Sequence, residues 1–316
     1  MSAIRGITLA ICTRNRHDDL ERCIASIAKQ QATVPLEVLI VDDGDLPAGW
    51  LEQIENKHGY PRGYLRYIRK SEKGLFLSRI EAIRKSTHDI VLFVDDDIVL
   101  ADDYLSRLAE LYERNPSWAG IGGRDLLIGR GGWSWRLFCG VFLYGSSKPG
   151  KLSLSGYGGA MIKWGAMKAP FRTEYMLGCN MSFRKSALAG VAPVDWLSDY
   201  SLGEDIYLSI VAGRSGQLWI DPALTVTHLQ SVDSRDRMEL VAYTEIVNHY
   251  HLLRTRRRHP VTTLLLLWTS CGLLLRAAIR TAHRAKAFGY LRAMRDIVRG
   301  RRGRSSHENI AHYGNR

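Results

Sequence analysis

Between Tyr250 and Arg304 the 316-residue chain has one acidic residue, Asp296, against 14 Lys or Arg. The first 249 residues show no such bias, with 29 basic and 30 acidic side chains. The net charge of +12 therefore belongs to one stretch, and a near-neutral body and a basic tail need separate explanations. Cysteine pairs are also missing. Cys12, Cys23, Cys139, Cys179 and Cys271 form no C-x-x-C pair and no ladder of metal ligands. Such an odd, scattered set points to reduced, buried thiols in a reducing compartment. There is no internal repeat, and 46% hydrophobic with 24% charged residues excludes a disordered or collagen-like chain. Met1 to Gly6 is too short and polar for a signal peptide, so synthesis in the cytosol without export is expected.

What is present is a rhythm of short apolar runs and helical patterns. Ile7–Cys12, Leu36–Val41, Tyr64–Ile68 and Asp89–Val94 read as strands. Between them, Leu20, Ile24, Ile27 and Ala28 fall at helical spacing, and a second helix is expected over Leu75–Lys85. Continuous apolar strands alternating with helices predict an α/β fold with a mostly parallel sheet covered on both faces. Ligands of such sheets bind outside the carboxyl ends of the strands. Residues 120–165 differ, with 13 glycines and interleaved Trp133, Trp135, Tyr144, Tyr157 and Trp164; loops and short irregular strands beside a site are expected there. Met176–Phe183 restores regular texture, followed by a helix from Glu204 to Gly213 and short strands at Leu218–Ile220 and Leu224–His228.

Two strands end in acids at that carboxyl edge. Asp95, Asp96 and Asp97 follow the strand ending at Val94, and in an extended stretch Asp95 and Asp97 face one side. Converging carboxylates repel unless a cation lies between them, and hard oxygen ligands suit Mg²⁺ or Mn²⁺ with phosphate oxygens. The competing reading is turn and helix-capping acids before a helix at Ala101–Arg114. The second cluster, Asp42-Asp43-Gly44-Asp45, can accept hydrogen bonds from a ribose hydroxyl or base N–H, or is a plain Asp-Gly turn. Glu204 and Asp205 open a helix, where acids favour the dipole in any protein. His228 ends a short strand, as many structural histidines do.

In order along the chain, these stretches resemble glycosyltransferase family 2, the inverting nucleotide-sugar enzymes of GT-A fold, over Ile7 to about Ser231. Leu9-Ala10-Ile11-Cys12-Thr13-Arg14-Asn15-Arg16 is similar to the family's first strand and nucleotide-binding loop. Val41-Asp42-Asp43-Gly44 is similar to its second acidic turn. Lys73-Gly74-Leu75 with Arg79 resembles the glycine-rich helix start, although the usual Arg-Asn pair is here Arg79-Ile80. Asp95-Asp96-Asp97 matches the Asp-x-Asp motif, Gly178-Cys179-Asn180-Met181 the segment contacting sugar and acceptor, and Gly203-Glu204-Asp205 the Glu-Asp motif.

The resemblance implies a nucleotide-sugar site of Thr13, Arg14, Asn15, Arg16, Asp42, Asp43, Lys73, Gly74, Arg79, Asp95, Asp96 and Asn180. It also implies Mg²⁺ or Mn²⁺ on Asp95, Asp97 and His228, and Asp205, beside Glu204, as general base. Residues 1–235 are expected to form the catalytic domain, with a nucleotide-binding half at 1–119 and an acceptor half at 120–235. Residues 236–316 would be a helical membrane-association tail whose last fifteen or so residues are disordered.

In that tail, Val261–Leu275 carries no charge, and reaching Ile279 includes Arg276. Fifteen residues fall short of the roughly 17–25 of a span, so a re-entrant or interfacial helix is expected. Basic residues flank the run: Arg254, Arg256, Arg257 and Arg258 before it, and Arg276, Arg280 and Arg284 at four-residue spacing after. Ala287, Leu291, Met294 and Val298 form a further apolar stripe beside Arg292, Arg295 and Arg299. Residues 254–299 are thus expected to meet an anionic membrane surface on its cytoplasmic side, peripherally or monotopically, near a lipid-linked or glycolipid acceptor. The competitor is a helical hairpin packed on the body. Two rival functions remain. A nucleotidyltransferase needs a glycine-rich loop after the first strand, which Thr13–Arg16 lacks. A basic nucleic-acid- or lipid-binding protein with a non-catalytic GT-A domain would use the tail alone, but its apolar run suits lipid and counts against nucleic acid.

Overall fold

A nine-stranded sheet organises the first part of the protein. Its order is Leu65–Arg69 (β3), Leu36–Asp42 (β2), Ile7–Thr13 (β1), Ile90–Asp95 (β4), Asn180–Arg184 (β8), Trp118–Asp125 (β6), Gln217–His228 (β9) and Ile98–Leu100 (β5), with Phe171–Thr173 (β7) branching from β9. The computed structural model describes residues 4–197, 201–229, 238–256, 260–279 and 284–301. β1 is buried along its whole length and is parallel to β2 and β4, and β2 is parallel to β3. β8 then runs antiparallel to both β4 and β6. The α/β sheet covered on both faces is as expected. On one face His17–Ala28 (α1) buries Leu20, Cys23, Ile24 and Ile27 against Leu9, Val38 and Leu92. On the other, the alternate residue Phe93 meets Arg79 of Leu75–Lys85 (α3) and Phe183.

Register decides where the strand ends lie. Thr13 is level with Asp42, and Cys12 with Asp95, so the carboxyl ends of β1, β2 and β4 finish together. β5 follows the Asp96-Asp97 turn and pairs antiparallel with the end of β9, Ile98 opposite His228. The Leu229 amide donates to the Asp97 carbonyl at 2.8 Å. Two expected short strands are in fact one: β9 runs through Pro222, beside a register shift between Gly122 and Arg124 of β6. A bulge of this kind tolerates the missing N–H of proline.

By packing, the described residues divide into two compact units. One draws on 1–129, 164–192 and 208–231, the other on 130–163, 193–207 and 232–316. The two are interleaved, whereas a catalytic stretch to 235 followed by a tail was expected. The second unit is helical: Trp133–Val141 (α5), Met238–Arg256 (α7), Pro260–Ile279 (α8) and Arg284–Val298 (α9). Its core joins Ile246, Leu253, Leu266, Leu273, Tyr290 and Ala293. Gly289 lets α9 approach α7, since a Cβ there would lie 2.9 Å from the Tyr243 amide nitrogen. Residues 120–165 hold more structure than their glycines suggested, with most of β6 and all of α5 inside them. The expected disorder of the last residues, and Arg257, Arg258 and Arg280, lie outside the described residues. Arg276 is on α8 and Arg284 opens α9, where one shared helix face was expected.

Candidate active site at the carboxyl edge of the sheet

Asp95, Asp97 and His228 converge at the level edge of the sheet, each offering a ligand atom within 4.8 Å of the others. Asp95 is the last residue of β4, and Asp97 follows it in the turn to β5. The turn, more than the strand alternation expected from the sequence, brings their carboxylates together. His228 arrives from 131 positions later through the β5–β9 pairing. Its Nε2 lies 3.0 Å from Asp97 Oδ1. The hydrogen bond to Asp97 raises the imidazole pKa, against the opposing effect of burial. Two carboxylates and an imidazole suit a divalent cation of the Mg²⁺ or Mn²⁺ kind, which would replace the proton that His228 now shares with Asp97.

The middle aspartate has another task. Asp96 is buried; the Thr13 hydroxyl donates to its Oδ2 at 2.7 Å and Arg16 Nη1 to its Oδ1 at 3.1 Å. Burial pushes its pKa up to about 6, although Thr13 and Arg16 pull it down. Asp96 thus fastens the loop after β1 to the loop after β4, and Arg16 also lies 3.6 Å from Asp97. Asn15 adopts φ 55° in that loop, and its Oδ1 accepts from the Asp45 amide at 3.0 Å. Gly44, in the turn after β2, is needed where that turn touches the loop after β1, because a Cβ there would lie 2.8 Å from the Asn15 nitrogen.

Arg79 and Asp42 work from inside the protein. Arg79 is 1% exposed and donates to Asp95 Oδ1 at 3.0 Å and to the Gly178 carbonyl at 2.9 Å. Asp42 accepts from the Gly44 amide at 2.7 Å, the Leu46 amide at 3.3 Å and the Tyr67 hydroxyl at 2.9 Å. Both shape the edge: Arg79 aims a carboxylate, and Asp42 folds the turn that carries Asp43. The Asp43 carboxylate accepts from the Gly74 amide at 2.6 Å, tying β2 to the start of α3. Its other oxygen is buried, with Arg14 Nε 3.8 Å away and no hydrogen-bond donor among the described residues. Arg14 and Lys73 are exposed beside it.

Two further expected groups lie on other elements. Asn180 is fully buried; the Tyr104 hydroxyl donates to its Oδ1, and its Nδ2 donates to the Leu224 carbonyl at 3.4 Å. It stitches strands together where contact with a sugar was expected. Glu204 and Asp205 form the first turn of Glu204–Ala212 (α6), in the second unit. Glu204 is buried, while Asp205 is partly exposed and its Oδ1 accepts from the Ile206 amide at 2.8 Å.

The sequence reading missed Asp125. It ends β6, is buried, and accepts from the His228 amide at 3.2 Å and the Leu127 amide at 2.9 Å. Its other oxygen lies 3.9 Å from His228 Nδ1, the ring nitrogen through which a carboxylate can orient a metal-binding imidazole. The signal was the same as at Asp95, an acid closing a buried strand, but it came just after the glycine-rich run Gly120-Ile121-Gly122-Gly123.

Comparison with known proteins places this edge in context. Over 119 residues the chain is 25% identical to a glucosyl-dolichyl phosphate glucuronosyltransferase of Haloferax volcanii, covering 37% of each protein. Over 105 residues it is 30% identical to an N-acetylglucosaminyltransferase of Azorhizobium caulinodans, covering 33% of this chain and 26% of that one. The matched stretches thus span little more than a third, or less, of those relatives' own lengths. A mannosyltransferase from Pyrobaculum calidifontis, solved in complex with GDP-Man and Mn²⁺, superposes with a TM-score of 0.53 at 17% identity, over 94% of this chain and 81% of that one. That likeness gives the fold, and with it the GT-A architecture that the motifs implied. The family model described as Glycosyl transferase family 2 matches residues 8–182, from the second residue of β1 to the middle of β8. It thus takes in the loops carrying Thr13, Asp43 and Asp95 to Asp97 and more than half of the sequence, so the chain belongs to glycosyl transferase family 2.

Proposed function

We propose that the protein transfers a sugar from a nucleotide-diphosphate sugar to a hydroxyl of a lipid-linked or glycolipid acceptor, with inversion at the anomeric carbon. The observation that carries this reading is the convergence of Asp95, Asp97 and His228 at the edge where an α/β sheet takes its ligands. A bound Mg²⁺ or Mn²⁺ would supply Lewis-acid stabilisation of the diphosphate leaving group. Asp95, Asp97 and His228 would hold it, and the Mn²⁺ in the mannosyltransferase solved with GDP-Man supports a divalent metal.

The chain's own groups divide the remaining work. Arg79 holds Asp95 in place from beneath, and the loop fastened by Asp96 presents Arg14 and Arg16 as positive charge toward phosphates. The buried Asp43 oxygen without a hydrogen-bond donor is an acceptor for a ribose hydroxyl or base N–H. Asp205 takes the proton of the acceptor hydroxyl as that oxygen bonds to the anomeric carbon from the face opposite the leaving group. The bond from the anomeric carbon to the diphosphate oxygen breaks in the same step, and its electron pair leaves with the diphosphate. A lipid-borne acceptor is supported by the name of the Haloferax relative, and the basic helices of the second unit by their charge. The reaction is thereby assigned to the cytoplasmic side of the membrane.

Nucleotide binding tests the reading. UDP, GDP, dTDP and CMP are titrated calorimetrically into the full chain with Mn²⁺ and with EDTA. One nucleoside diphosphate should bind only with the metal, and Asp97→Asn should weaken that binding by more than the roughly 10–100-fold of an outer-shell change. Metal-independent binding, or an unaffected variant, returns the three aspartates to turn-forming acids.

A further inference from the structure

The second unit shows solvent a surface that its own folding does not explain. α8 buries Leu266, Leu273 and Ala277 in the helical core. Its opposite stripe is Val261, Leu264, Trp268, Cys271, Leu275 and Ile279, exposed at intervals of three or four residues and without a charge. The helix's one charge, Arg276, is turned away. Its guanidinium lies 4.2 Å from the centre of the Trp135 ring and 5.6 Å from that of Phe138, where ring faces offset part of its lost hydration.

α5 lies alongside and extends this face. Trp268 Nε1 donates to the Val141 carbonyl at 2.7 Å, and the Thr269 hydroxyl donates to the Phe142 carbonyl at 2.6 Å. Gly272 leaves room for the Phe142 ring, with which a Cβ would collide. On its outer side, Trp133, Leu137 and Val141, one turn apart, are 80%, 58% and 50% exposed. α9 contributes exposed Phe288, Leu291 and Val298, interleaved with exposed Arg284 and Arg295.

We infer that the α5–α8 face inserts into one leaflet of a bilayer containing anionic lipid, with α8 lying in the membrane plane. The inference rests on the reading above that the acceptor is lipid-borne; it names the surface and the mode of seating, and adds α5, which the basic tail did not include. Length alone would allow α8 to cross, since Val261–Ile279 is 19 residues with a mean hydropathy of 1.6. Its partners argue otherwise. Its core neighbours α7 and α9 carry Glu245, bonded by the Tyr290 hydroxyl at 3.0 Å, and Asp296, bonded by that of Tyr243 at 3.2 Å. A crossing α8 would carry these acids into hydrocarbon or lose its packing, whereas an in-plane helix keeps both.

Charge selects the occupant. The flanking Arg254, Arg284, Lys286, Arg295 and Arg299 would set like charges together if two copies of the face met, whereas anionic headgroups neutralise them. Residues 302–316 offer only Ile310 and Tyr313 as large apolar side chains, too few to cover two helices. The two exposed tryptophans suit the boundary between headgroups and acyl chains.

Cys271 is the one exposed cysteine of five and sits in the stripe, so an environment-sensitive fluorophore on it reports seating in the full-length protein. Vesicles of phosphatidylcholine with about one quarter phosphatidylglycerol should brighten and blue-shift the label, and phosphatidylcholine alone should bind about tenfold more weakly. Nitroxides near the headgroups should quench it more than nitroxides at the bilayer centre. Leu264→Glu and Leu275→Glu should each lower partitioning about tenfold while leaving metal-dependent nucleotide binding unchanged. The proposal is overturned by an unresponsive label, by strongest quenching from the bilayer centre, by undiminished vesicle binding in both variants, or by a lipid-free dimer that Leu264→Glu dissolves. Vesicle binding without nucleotide binding would keep the seat and remove the transfer reading; the converse would do the opposite.

Discussion

Arg79 in the first unit is drawn from solvent by two oxygen acceptors above the Phe93 ring, and Arg276 in the second lies over the rings of Trp135 and Phe138. Arg79 donates to a carboxylate and a carbonyl, contacts that fix its direction and, through Asp95, the direction of a candidate ligand atom. Arg276 lies over Trp135 and Phe138, and Arg292 over Tyr243 at 4.9 Å. These contacts shield charge without aiming it, because a ring face is a broad electrostatic target. The difference matches the work proposed for each unit: a sheet edge that would place atoms at a point, and helices that would spread charge and apolar area over a surface.

Variants sharpen this contrast. The largest effect is expected from Asp205→Asn, which should reduce sugar transfer by about 10²–10⁴-fold while nucleotide affinity stays unchanged, as read by radiolabelled transfer beside calorimetry. Near-normal transfer would remove the second unit from the chemistry. Next is Arg79→Ala, which leaves the partly exposed Asp95 without its inner partner; urea unfolding should show a loss of about 1.5–3 kcal/mol, the range for a hydrogen bond to a charged group. Arg276→Ala, which removes the contacts over Trp135 and Phe138, should cost about 1–2 kcal/mol in the same assay. Equal losses would erase the distinction between the two kinds of support.

The second unit also carries a pH-dependent element of its own. His249 is buried, stacks on Tyr157 with ring centres 3.7 Å apart, and places Nδ1 2.8 Å from the Glu245 carbonyl. Burial lowers its pKa to about 4, so the unfolded chain takes up a proton more readily than the folded one. Its contribution is full above the ordinary histidine value of about 6.5 and is lost as pH falls toward the folded value, by about 3 kcal/mol at most. Thermal unfolding between pH 7 and 4.5 should show this slope, and His249→Phe should flatten it. Asp125→Asn should lower Mn²⁺ affinity roughly 10–100-fold, as measured by titration, with the fold intact.

Much of the first unit was legible because its strands are buried on both faces and so read as unbroken apolar runs. β1, β2 and β4 lie within a residue of the expected runs, and α3 covers the expected Leu75–Lys85. The interruptions were less legible. β9 looked like two strands because Pro222 breaks the run, and α5 was hidden because glycine and aromatic residues have no period of their own. Asn180, Asp42 and Arg79 sit in motifs that sequence reading treats as contacts, yet burial turns each into support for its neighbours.

Sequence alone determined which chemical groups could gather, namely acids after buried strands, a basic C-terminal stretch and an apolar run within it, because composition and spacing are local properties of the chain. Tertiary structure decided which of them meet. The strand register that levels β1, β2 and β4, and the β5–β9 pairing that delivers His228 to Asp97, join positions up to 131 residues apart. The outward stripe of α8 was decided in the same way, since which side of an apolar helix is covered depends on how α5, α7 and α9 pack against it.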